Sequence, residues 1–100
     1  MSYFPIGCFM DKHIGERPLE KLVANFRNGI DWYHMSKTVK KCAEDAWSKH
    51  YDVFGVQFYG ECWSGDEGYK TYDKDGFNLQ GCWEGVGKSN NNYVYAFTSK

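Results

Sequence analysis

Cys8, Cys42, Cys62 and Cys82 cut a chain of 100 residues into long intervals, and these four widely separated sulfurs limit its architecture more than any other trait. No two of them have C-x-x-C spacing, and His13, His34 and His50 do not stand at the intervals of a zinc finger, so a tetrahedral zinc site is poorly supported. A nucleophilic cysteine working with a distant histidine has no local motif behind it. Two disulfides in an extracellular domain fit best, with a cytosolic protein carrying four thiols as the alternative. The opening residues, Met1 to Pro5, have neither the basic start nor the apolar stretch of a secretory signal. The extracellular reading therefore carries the expectation that a signal was removed ahead of Met1.

The length suits one domain, residues 1–100, with a single modest core. That core must be aromatic. Leu, Ile and Val are scarce, while four Trp, eight Tyr and seven Phe supply the apolar area that a disordered chain lacks. Side chains with one apolar and one polar edge suit a thin domain, and equally a recognition surface. Twelve basic residues against thirteen acidic ones leave a net charge of −1, which argues against nucleic acid as a partner. A mean hydropathy of −0.67 and the lack of a long apolar run argue against membrane insertion.

Periodicity suggests the elements. Phe4 to Met10 reads as a strand closed by Asp11. Leu19, Leu22, Val23 and Phe26 have helical spacing in a stretch short enough to be a helical turn or irregular chain, and Asn28-Gly29 marks a turn. The main helix is expected to begin after Ser36 or Thr38, either of which can cap it, with Val39, Cys42, Ala43, Ala46, Trp47 and His50 on its inner face. Val53 to Tyr59 alternates as a strand with Phe54, Val56 and Phe58 on one side, and Glu61 to Ser64 reads as its tight continuation. Residues 66–92 are polar and irregular, and Tyr93 to Phe97 is a closing strand. The expected fold class is α+β: one main helix packed on a small, twisted antiparallel sheet.

Five segments resemble a WSC domain in order and spacing. They are Ile6 to Asp11, Arg17-Pro18-Leu19, Thr38 to Ala43, Tyr51 to Gly65 with its Gln57-Phe58-Tyr59-Gly60-Glu61-Cys62-Trp63-Ser64-Gly65 core, and the close from Gly81-Cys82 to Tyr93-Val94-Tyr95. The last long segment is also similar to segments of secreted invertebrate proteins of lectin type. This resemblance implies a PAN/apple-like fold and an extracellular role in carbohydrate binding or adhesion. Two family cysteines are replaced here by Ala46 and Ser64, which suggests that the family's bridge between those positions was lost as a unit. The resemblance then implies the pairs Cys42–Cys62 and Cys8–Cys82. In the loop-entropy picture these contribute about 3 and about 4.5 kcal/mol, most of the margin of a domain this small.

The binding chemistry is expected in the glycine-punctuated stretch from Gly65 to Asn78. Asp66, Glu67, Asp73 and Asp75 lie there with Tyr69 among them, and Trp83-Glu84 follows Cys82. An aromatic face packs against the C–H side of a pyranose while carboxylates or amides take its hydroxyls, so these seven residues form the candidate carbohydrate site. Trp63 and Tyr72 flank it, and Asn90 to Asn92 could complete it, although Trp63 reads better as core. Asp73-x-Asp75-Gly76 carries part of a calcium loop without its closing Glu, which makes calcium the candidate cation and a solvated acidic loop the plainer reading. His50 reads as a packing residue at the helix end. No nucleophile-elbow, zinc-protease or phosphate-loop pattern occurs, so the chain is read as non-enzymatic. The leading function is a secreted lectin for glycans or glycoproteins, gaining avidity as a homo-oligomer or in tandem repeats. The alternative is an extracellular protein-interaction or adhesion module.

Overall fold

The computed structural model describes residues 1–98. Seven strands and two helices follow one another as β1 (Tyr3–Met10), β2 (Lys21–Asn25), α1 (Met35–Ser48), β3 (Val53–Gln57), β4 (Glu61–Ser64), α2 (Gly68–Thr71), β5 (Cys82–Trp83), β6 (Val86–Gly87) and β7 (Asn91–Phe97). Five strands make one antiparallel sheet in the order β1-β7-β3-β4-β2, and β5 and β6 form a separate ribbon. The α+β class, the single main helix and the antiparallel pairing are as expected. The closing strand, however, sits inside the sheet, between β1 and β3.

β3 is buried along its whole length because both of its faces are covered. On one face, α1 lays Met35, Val39, Cys42, Ala43 and Ala46 against Phe54, Val56, Cys62, Tyr95 and Phe97. The aromatic composition is spent here. Phe54 and its cross-strand partner Tyr95 stack with centroids 5.1 Å apart, and Tyr3 meets both rings edge-on. The opposite face holds a smaller cluster of Leu19, Val53 and Val94, covered by Phe9, Trp63 and Tyr72. Both disulfides are formed, Cys42–Cys62 joining α1 to β4 and Cys8–Cys82 joining β1 to β5, with Cα separations of 5.3 and 6.0 Å.

Several local expectations are corrected. The stretch around Leu22 is neither a helical turn nor irregular but the edge strand β2, whose register shifts between Leu22 and Ala24. That bulge breaks the alternation: Leu19 enters one cluster, Val23 and Phe26 the other, and Leu22 faces outward, so the helical spacing had no common face behind it. Neither Ser36 nor Thr38 caps α1, which starts earlier, after His34. Asp31 organises that entry by accepting hydrogen bonds from the Tyr33 N–H (3.1 Å) and the Lys37 ammonium (3.2 Å). His50 is exposed rather than on the inner face. It stands in the left-handed conformation just past the helix (φ 67°), where its N–H reaches the Trp47 carbonyl and the Tyr51 N–H reaches that of Ala46, a Schellman close with histidine in the place usually held by glycine. Glu61 to Ser64 does not continue β3. The chain reverses at Phe58–Gly60 and β4 returns beside β3, so Phe58 does not extend the row of Phe54 and Val56.

Candidate functional site

β1 ends, β7 begins and β3 turns into β4 at one end of the sheet, as their antiparallel registers require. Loops gather there, and so do left-handed residues other than glycine: His13, Phe58, Tyr59 and Asn90 have φ between 52 and 69°. Such residues persist only where their surroundings hold them, and they collect at binding sites. A cleft along Met10 to Ile14, Asn78, Asn90 and Asn91 opens beside them, and so do two with aromatic rings in their walls.

The first of these two is apolar, about 460 Å³ in volume, and lined by Trp32, Tyr59, Trp83 and Lys88. Trp32 is 5.5 Å from Tyr59 and 6.4 Å from Trp83, centroid to centroid. Trp32 and Trp83 nevertheless remain 52% and 41% exposed, so their faces are open to a ligand. The segments that carry Tyr59 and Trp83 are tied to their neighbours. The Tyr59 N–H donates to the Gly87 carbonyl (2.9 Å), and Cys82 ties β5 to β1. The Tyr95 hydroxyl donates to the Gly85 carbonyl at 2.7 Å and so fixes the β5–β6 turn. Gly85 has φ 82°, and a Cβ there would stand 2.8 Å from the Tyr95 hydroxyl oxygen, so the turn admits only glycine. Burial pushes the Tyr95 phenol above its ordinary pKa, with the neighbouring Tyr93 and Tyr3 adding to the shift. Trp32 stands in the loop shaped by Asp31, whose carboxyl is held below the ordinary range chiefly by the hydrogen bond from Lys37.

The second cleft is polar, about 210 Å³, and bounded by His13, Arg17, Gln57, Phe58, Glu61, Trp63, Ser89 and Asn90. Behind it runs a buried network. Asp11 (1% exposed) accepts through Oδ2 from Arg17 Nε (2.9 Å), Arg17 Nη2 (2.8 Å) and Gln57 Nε2 (3.2 Å), while Oδ1 takes the His13 N–H. Gln57 Nε2 also reaches Asn92 Oδ1 at 3.2 Å, and Asn92 Nδ2 is buried with no partner among the described residues. The guanidinium of Arg17 lies 3.7 Å above the Trp63 ring, whose Nε1–H donates to Glu61 (3.2 Å).

The residues expected to form one carbohydrate site are distributed over several places. Trp83 lines the aromatic cleft. Asp66 and Glu67 line a different cleft beside Glu16 and Glu20, and are paired with Lys21 and Lys70, each at 3.4 Å. Asp75 accepts from the Lys12 N–H at 2.8 Å, and Tyr69, Asp73 and Glu84 are exposed. Among the described residues no group of three or more His, Cys, Asp and Glu side chains is arranged to hold a metal ion. Trp63 belongs with the smaller core cluster, as expected, and Asn90 lines the polar cleft. Sequence reasoning missed Trp32, Tyr59, Arg17, Asp11 and Gln57. The one signal that could have exposed the polar cleft is Gln57, a polar residue in an otherwise apolar buried strand.

No family model, no curated protein and no solved structure matches the chain, so the likeness to a WSC domain rests on its motif residues.

Proposed function

We propose that this chain is an extracellular carbohydrate-binding module of WSC-like, PAN/apple-like type, and that its principal site is the aromatic cleft rather than the acidic loop. The observation that carries this reading is the meeting of Trp32, Tyr59 and Trp83, from three separate segments, around an open apolar cleft with Lys88 at its edge. A domain this small gains little stability by leaving two indoles half exposed side by side, whereas a sugar ring offers the flat C–H face that such indoles cover. The two disulfides support an oxidising, extracellular setting. A single cleft of this size binds weakly, so useful avidity calls for several copies on one particle or in one chain.

A glycan array, probed with and without EDTA, tests the reading. Specific hits are expected, and Trp32→Ala or Trp83→Ala should each weaken them about tenfold, or about 1.4 kcal/mol. Hits that vanish in EDTA would return a cation to the acidic loop at Asp73 and Asp75. An array without hits refutes the lectin reading and leaves the aromatic cleft to a protein partner.

A further inference from the structure

We propose that the polar cleft is a second saccharide site, so that one domain holds two neutral sugar rings independently; the ligand class rests on the glycan reading above. The cleft has the marks of a built site. Gln57, only 2% exposed, lies on its wall, and Arg17 is fixed in two directions, by the Trp63 face beneath it and by Asp11 at its edge. Glu61 is pinned by the Trp63 indole. His13, Phe58 and Asn90 all line it in left-handed conformations. These groups have little freedom left to lose when a ligand arrives.

The ligand class follows from charge and hydrogen-bonding capacity. Arg17 is already neutralised by Asp11 at 2.8 Å, so the cleft offers no spare positive charge for a carboxylate or phosphate. Glu61 is the remaining carboxylate on the wall, and among the described residues it is not joined by enough His, Cys, Asp or Glu side chains to hold a metal ion. What is left is an alternation of donors and acceptors: the Arg17 Nη1 and Asn90 amide N–H groups, the amide oxygens, the Ser89 hydroxyl and the Glu61 carboxylate. Hydroxyls, each able to donate and accept, match that alternation. The volume equals about seven water molecules, the scale of a single ring. The two sites adjoin along Phe58 and Tyr59, whose rings are 6.2 Å apart, but Tyr59 packs with the helix-side cluster and Trp63 with the other. One ring therefore need not see the other.

The four indole N–H signals make the test direct, because Trp63 reports the polar cleft, Trp32 and Trp83 the aromatic one, and Trp47 on α1 neither. Glucose, galactose, mannose and N-acetylglucosamine are titrated at millimolar concentrations into the 15N-labelled domain. At least one sugar is expected to move Trp63 and the Arg17 Nε–H, and that response should persist with an unchanged midpoint in Trp83→Ala. The double variant Ser89→Ala, Asn90→Gly alters only exposed side chains and suits the left-handed backbone at Asn90; it should raise the Trp63 midpoint about tenfold while leaving that of Trp83 in place. Shifts confined to Trp32 and Trp83 overturn the second site and leave the first. Loss of the Trp63 shift in Trp83→Ala overturns independence. Silence of Trp63, with array hits in hand, overturns the second site, and silence of Trp32 and Trp83 as well moves the first site away from the aromatic cleft; silence with an empty array removes both readings.

Discussion

Asp11→Asn is the sharpest probe of the buried network, because it changes charge and hydrogen bonding without changing volume. The Asp11 carboxylate is fully covered and receives four donors: Arg17 Nε, Arg17 Nη2, Gln57 Nε2 and the His13 N–H. An amide cannot serve all four. With its oxygen toward Arg17, its NH2 faces the His13 N–H, donor against donor; turned round, it faces three donors at once. The first arrangement costs less, yet it still leaves the guanidinium without its counter-charge. Removing one member of a buried pair costs about 3–5 kcal/mol, and the partial exposure of Arg17 (25% of its side chain) places this case near the lower end, about 3 kcal/mol. In a domain whose whole margin is about 5–15 kcal/mol, that is a large fraction. It corresponds to a fall in Tm of about 12–24 °C. Urea titration with the disulfides intact should show a lower midpoint at unchanged slope. Arg17→Met alone should be at least as damaging, since it strands the carboxylate, and the double variant should cost clearly less than the two single losses together. A loss below about 1 kcal/mol for Asp11→Asn, the range of ordinary surface changes, would refute the network as described.

Two further outcomes are expected. Tyr95→Phe should cost about 1 kcal/mol at neutral pH through the lost hydrogen bond to the Gly85 carbonyl. The folded phenol holds its proton more tightly than the ordinary value of 10.0, so its contribution is complete below that pH and falls progressively as pH rises above it toward the raised folded value; the native domain should weaken in urea titrations toward about pH 11, with a visibly smaller decline in the Phe variant. Ala46→Lys should cost about 3–5 kcal/mol, because Ala46 is fully buried in the helix-side cluster and a lysine there has no charge partner. A near-native urea midpoint in that variant would place Ala46 outside the core.

The legible parts of the fold were those set by neighbours in sequence. An apolar run marked β1 and alternation the heart of β3, and the Val39-Cys42-Ala43-Ala46 stripe marked the buried face of α1. The disulfide pairing was legible through the WSC-like motif alone, since four cysteines permit three connectivities. What escaped was set by long-range contacts or by unusual residues in turns. The β3–β4 reversal runs through Phe58 and Tyr59, two aromatics in left-handed conformations, where a sequence reader looks for Asn-Gly. The edge strand β2 escaped because its bulge mixes two faces. Trp83 could be singled out by its place after Cys82, but nothing near Trp32 or Tyr59 in sequence says that three rings will meet. Asp11 and Gln57 are 46 positions apart, and only the β1-β7-β3 order brings them together.

That order also explains why clefts and buried polar groups collect at one end of the sheet. Along the face opposite α1, Val53 and Val94 bury apolar area with Leu19, and Gly55 leaves no room for more: a Cβ there would meet Leu19 at 2.7 Å. One pleat further on, the inward positions become Gln57 and its register partner Asn92, and the packing changes from apolar to hydrogen-bonded. A buried polar cluster is stabilising only when every member is satisfied, and here Asn92 Nδ2 has no partner among the described residues. An apolar pair at those two positions would continue the core at no such cost. Stability alone does not call for the cluster; under the two-site proposal it serves to hold Arg17 and Gln57 rigidly at the wall of the polar cleft.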